Sequence, residues 1–170
     1  MSENVFVASN KEEFLNGRRQ AFKTIFYSGL VVGILDGLFA LVYYGLILGA
    51  KPMRIFQSIA SGLLGKASFE GGTPTVLLGV LLHFVIASCI AAVYYMASLK
   101  LPFLIHNAVA CGLIYGMIAF FGMNYVVIPL SAAGSAPFSL PVFLTGIIGH
   151  AFLVGLPIAL LTRRFAKLSS

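Results

Sequence analysis

TIFYSGLVVGILDGLFALVYYGLILG, residues 24–49, holds one formally charged side chain, Asp36, in 26 positions. As a helix it rises about 39 Å, more than the roughly 30 Å of hydrocarbon in a bilayer. Three further stretches, 75–98, 105–129 and 141–162, contain no Asp, Glu, Lys or Arg at all. Each is long enough to cross a membrane, so the sequence predicts an all-α integral membrane bundle of four spans.

Composition agrees with this. Hydrophobic residues make up 59% of the 170-residue chain and charged residues 9%, and the mean hydropathy is +0.99. A soluble domain of this size has no means of covering so much apolar surface. A cleaved signal peptide does not explain the first span, because the acid-containing leader Met1 to Gln20 is too polar and the run after it too long. The net charge of +6 invites a nucleic-acid reading, but the basic residues flank the apolar runs, as membrane topology requires. No nucleic-acid partner is expected.

Charge also orients the chain. Lys11, Arg18, Arg19 and Lys23 precede the first span, Lys100 separates the second from the third, and Arg163, Arg164 and Lys167 follow the fourth. Against these eight stand only Lys51, Arg54 and Lys66 on the other side. The positive-inside rule therefore puts both termini in the cytoplasm. Residues 1–23 form a cytoplasmic segment, 24–163 the bundle and 164–170 a cytoplasmic tail.

Between spans one and two, residues 52–66 read as an amphipathic helix. Phe56, Ile59, Ala60, Leu63 and Leu64 share one face, opposite Arg54, Gln57, Ser58 and Ser61. Pro52 suits its first turn and Gly71-Gly72 follow its end. Such a helix lies in the outer interface or re-enters the membrane, with Arg54 as its interfacial cation.

The chain carries an internal echo. Gly29-Leu30-Val31-Val32-Gly33 answers to Gly112-Leu113-Ile114-Tyr115-Gly116 at an offset of 83, and Gly79-xxx-His83 answers to Gly146-xxx-His150 at an offset of 67. The shorter second offset fits an amphipathic insert present only in the first half. Two helical hairpins in parallel repeat are one explanation, and chance recurrence of glycine among aliphatics is the other.

Few residues in the spans carry chemistry. An isolated carboxylate such as Asp36 costs several kcal/mol within lipid and needs a partner or a proton. It handles a proton or cation, or it locks two helices through a hydrogen bond. His83 and His150 each lie about 13 Å inside the outer end of their spans, at one level. They are candidates for axial haem ligation, for a metal site, for a proton site with Asp36, or for hydrogen bonds across the bundle to a carbonyl, a hydroxyl or Asp36. Asn124 near the outer end of span three is a ligand donor or an interhelical hydrogen bond, and Tyr43, Tyr44, Tyr94 and Tyr95 read as interfacial anchors. Pro157 predicts a kink in span four. Cys89 and Cys111 read as small fillers with no disulfide.

The strings PMRIFQSIASGLLG (52–65), Leu82-His83-Phe84, MNYVVIPLS (123–131) and Gly149-His150 resemble the YagU family of uncharacterised bacterial inner-membrane proteins, over the chain from first span to last. The resemblance implies a four-helix unit in that membrane and brings no activity with it. Three functional classes therefore stay open. The bundle binds or conducts a small ligand, ion or proton, or serves as an accessory subunit among membrane lipids, other membrane proteins or copies of itself. Alternatively, it is a haem-binding electron-transfer protein using His83 and His150. The third class, an enzyme acting on a lipid or quinone, lacks a visible nucleophile or metal motif.

Overall fold

The computed structural model describes residues 2–134 and 137–167, and among these no strand occurs. Helix α1 runs from Ser2–Ala40 and continues as a π-helical segment, Leu41–Ile47. Helix α2 covers Pro52–Leu64, and α3 covers Gly72–Lys100. After the short α4, Phe103–His106, helix α5 spans Ala108–Gly122 and passes through a second π segment, Met123–Val127, into α6, Ile128–Leu130. Helix α7, Leu140–Gly149, leads through a third π segment, His150–Gly155, into α8, Leu156–Lys167. Four of these continuous rods, Phe14–Ile47, Gly72–Lys100, Ala108–Leu130 and Leu140–Ala166, are long and apolar enough to cross a membrane.

Glycine sets how closely the rods approach. A methyl at Gly29 would meet Ser88 and one at Gly33 would meet the Phe84 ring, so α1 and α3 pack antiparallel along a seam that side chains would prop open. Gly112, Gly116 and Gly155 do the same between α5 and span four, where backbone lies on backbone. The two hairpins join where α1 meets α8. There Gln20 Nε2 donates to the Phe165 carbonyl at 3.3 Å, and the Tyr27 and Phe165 rings stack at 5.9 Å. Further along, Gly149 makes room for the Phe39 ring. Val32, Ala87, Ala91, Val154, Ile158 and Ala159 fill the shared core with Tyr94 and Ala108. Large apolar side chains such as Leu30, Leu81, Ile118 and Phe152 face outward, as a lipid-bathed surface requires.

The echo in the sequence reappears as contacts. The pair Gly29 and Ser88 corresponds to Gly112 and Gly155, and the pair Gly33 and Phe84 to Gly116 and Ala151, at the same offsets of 83 and 67. The π segments of spans one and three begin at Leu41 and Met123, an offset of 82. The two hairpins are thus built on one packing scheme.

Helix α2 lies across the end of the bundle opposite the termini, and its faces differ from the expectation of a simple amphipath. Gln57 and Ser61, expected on the solvated side, are buried with Ile55 and Ala60, whereas Leu63 and Leu64 are exposed at 63% and 44%. The cause is the docking onto α3. Gln57 Nε2 donates to Thr75 Oγ1 at 3.2 Å and to the Gly72 carbonyl at 3.4 Å. Gly79 lets α3 lie directly against the Phe56 backbone. On its far side the Gly62 carbonyl accepts from the Ala132 amide at 3.0 Å, tying α2 to the last connection.

Candidate functional site

Asp36 lies on α1 four residues beyond the buried Val32 and is half-buried. Among the described residues it has neither a hydrogen bond nor an ion pair. A carboxyl at this depth is costly unless it finds a partner or a proton.

His83 approaches the same part of α1 from α3. Its Nε2 donates to the Gly33 carbonyl at 2.9 Å. Gly37 lies under the imidazole, with its missing methyl position 3.4 Å from Nε2. The Phe84 ring meets His83 edge to face at 5.7 Å. Gly37 follows Gly33 at a spacing of four, so the two glycines lie on one face of α1, and this spacing is the signal in the sequence that marks the place of the ring.

His150 occupies the related position in the second hairpin and behaves differently. Its Nδ1 donates to the Gly146 carbonyl of its own helix at 3.0 Å, leaving Nε2 free. The residue matching Gly37 at the offset of 83 is Phe120, whose ring packs edge-on against the imidazole at 5.3 Å. An aromatic ring thus stands where the first hairpin leaves room, and His150 turns back on its own helix.

The antiparallel pairings fix depth. Gly33 meets Phe84, Gly37 meets His83 and Phe39 meets Gly149, so Asp36, His83 and His150 fall in one layer of the bundle. The other candidates fall elsewhere. Asn124 is exposed and its Nδ2 donates to the Phe120 carbonyl at 2.9 Å, within its own rod. Arg54 is exposed beside the Phe69 ring, 5.2 Å from its centroid. Among the described residues no group of three or more His, Cys, Asp or Glu is placed to hold a metal ion. Axial haem ligation through His83 Nε2 would require its bond to Gly33 to break.

Several tyrosines depart from their expected role as anchors. Tyr43, Tyr94 and Tyr95 are buried. Tyr94 donates to the Leu104 carbonyl at 2.9 Å and Tyr115 to the Ile90 carbonyl at 2.6 Å, with the two rings 5.0 Å apart. Backbone carbonyls satisfy these hydroxyls inside the protein, so they do not need the headgroup region. Both cysteines are free, and Cys89 faces outward from α3.

Three of the four spans carry π segments, which hydrophobic periodicity does not mark. Two end two residues before a proline, Val127 before Pro129 and Gly155 before Pro157. Proline lacks the N–H that the carbonyl one turn earlier needs, and a wider turn passes over the missing donor. The kink expected at Pro157 takes this form. The first segment has no proline and shows the wide spacing directly, with the Leu48 amide donating to the Tyr43 carbonyl at 3.1 Å.

The fold and this polar layer define a multi-pass helical membrane protein. No family model, curated protein or solved structure matches the chain, so its function has to be argued from its own geometry.

Proposed function

We propose that the chain is a four-span protein of a bacterial inner membrane, akin to the YagU family and with both termini cytoplasmic, which binds and passes a proton at the layer of Asp36, His83 and His150. The observation that carries this reading is Asp36: a half-buried carboxyl in mid-span with no hydrogen bond and no ion pair among the described residues. In hydrocarbon such a group holds a proton or shares a cation, and it changes state when water or a base reaches it. The two imidazoles lie at the depth of Asp36, each with one nitrogen donating to a helix carbonyl, and histidine is the side chain best suited to relay a proton. A metal cation has less support, since among the described residues no group of three or more His, Cys, Asp or Glu is placed to hold one.

The test is proton flux into liposomes that hold the purified protein and a pH-sensitive dye, driven by a potassium diffusion potential. Asp36→Asn abolishes the flux and Asp36→Glu retains it. Equal flux from the wild type and Asp36→Asn counts against the reading.

A further inference from the structure

Hydroxyls line the inside of the half of the bundle that carries the termini. The buried side of α1 runs from Gln20 through Thr24, Ser28 and Val32 to Asp36, in steps of four residues. Thr24 and Ser28 are each 1% exposed, and Thr162 on α8 is 2% exposed. Thr24 Oγ1 donates to the Gln20 carbonyl at 2.9 Å. Ser28 Oγ and Thr162 Oγ1 are buried with no partner, although a helical serine or threonine has the carbonyl one turn back within reach.

The bond from Gln20 to the Phe165 carbonyl sets the register of α1 against α8. It puts Thr24 level with Thr162, and Ser28 about one turn deeper, level with Ile158. Beyond them the bundle closes. Val32 is 1% exposed, and with Ala87 and Val154 it makes an apolar layer before Asp36 is reached. Ser28 and Asp36 are eight residues apart on α1, a rise of about 12 Å. Polar groups therefore sit at two depths along α1, with the apolar Val32 layer between them.

We propose that Thr24, Ser28 and Thr162 hold water entering from the end that carries the termini, and that Val32 is the apolar gate between this water and Asp36. Water fits the chemistry because hydroxyls both donate and accept, and a buried water needs two to four polar contacts. The hydration stands on the orphaned hydroxyls alone. The gating rests on the reading of Asp36 as a proton site.

Water-edited solid-state NMR of the unmodified protein in phospholipid liposomes tests the first half. Magnetisation from water reaches Thr24, Ser28 and Thr162 several-fold faster than Val32 and Ala87, and transfer to Ser28 and Thr162 as slow as to Val32 overturns the hydration. Val32→Thr, which keeps the shape and adds a hydroxyl, tests the second. It raises proton flux several-fold, and Val32→Thr with Asp36→Asn abolishes that gain; flux unchanged from the wild type overturns the gate. Fast transfer to Ser28 together with flux indifferent to Asp36→Asn removes the Asp36 reading and leaves the water in place. Slow transfer together with flux lost in Asp36→Asn does the reverse.

Discussion

His83 reaches across the first hairpin to the Gly33 carbonyl at 2.9 Å, whereas in the second hairpin Gly116 touches the backbone of His150 and no such bond forms. One packing scheme thus supports two different histidines. The first is fixed to a neighbouring helix, and the second is held only by its own helix and the edge of Phe120. The first imidazole is the more constrained of the pair.

The His83 bond has a measurable worth. Interhelical hydrogen bonds within membranes contribute about 0.6 kcal/mol on average and at most about 1.7 kcal/mol. His83→Leu lowers thermal stability in detergent by an amount in this range, and His83→Gln, which keeps a donor, recovers part of it. Equal stability for the wild type and His83→Leu would show that the bond contributes nothing.

The seams make a sharper prediction for glycine. A methyl at Gly79 would overlap the Phe56 carbonyl, a backbone atom that cannot turn aside, while one at Gly122 would meet nothing within 4 Å. Gly79→Ala therefore costs about 1–3 kcal/mol through overpacking. Gly122→Ala is neutral or slightly stabilising, because alanine is the better helix former. Melting curves of the two variants, compared with the wild type, decide the matter.

The spans were legible because no more than one charge in 26 residues, and none in each of three further runs, has few other physical explanations, and the repeat was legible because glycine marks close helix contacts. The face of α2 was not. Periodicity sorts side chains into apolar and polar faces, but in lipid the apolar side faces outward and the small or hydrogen-bonded side packs inward, so Leu63 is exposed and Gln57 is buried. For the same reason Tyr94 could not be distinguished from an anchor, since its hydroxyl is satisfied by the Leu104 carbonyl. Asp36, His83 and His150 could be placed at one depth by counting residues, but their partners depended on Gly37 and Phe120, which only the packing of helices reveals.

Helix α2 supplies a third prediction. A spin label at Leu63 meets acyl chains, so in liposomes its relaxation responds to dissolved oxygen far more than to a water-soluble nickel reagent. Gln57→Leu, apolar and of similar size, removes the bonds to Thr75 and Gly72 and lowers stability by about 1 kcal/mol. A label at Leu63 that answers mainly to nickel would place this face in water and reverse the assignment.

The contrast between the two histidines can itself be exchanged. Gly37 and Phe120 occupy equivalent positions beside His83 and His150, and the Gly37 methyl position lies 3.4 Å from His83 Nε2. Gly37→Ala asks the imidazole to move by only a few tenths of an ångström, and the bond to Gly33 survives it. Gly37→Phe copies the second hairpin into the first and displaces the ring, so His83 falls back on the carbonyl one turn earlier in its own helix, that of Gly79. Nitrogen-15 NMR of the imidazole reads the outcome without relying on stability: in the wild type the protonated nitrogen is Nε2, and in Gly37→Phe it becomes Nδ1, matching His150. Should His83 keep its proton on Nε2 in a folded Gly37→Phe protein, the aromatic ring does not govern the choice, and the difference between the hairpins must come from the π segment that begins at His150.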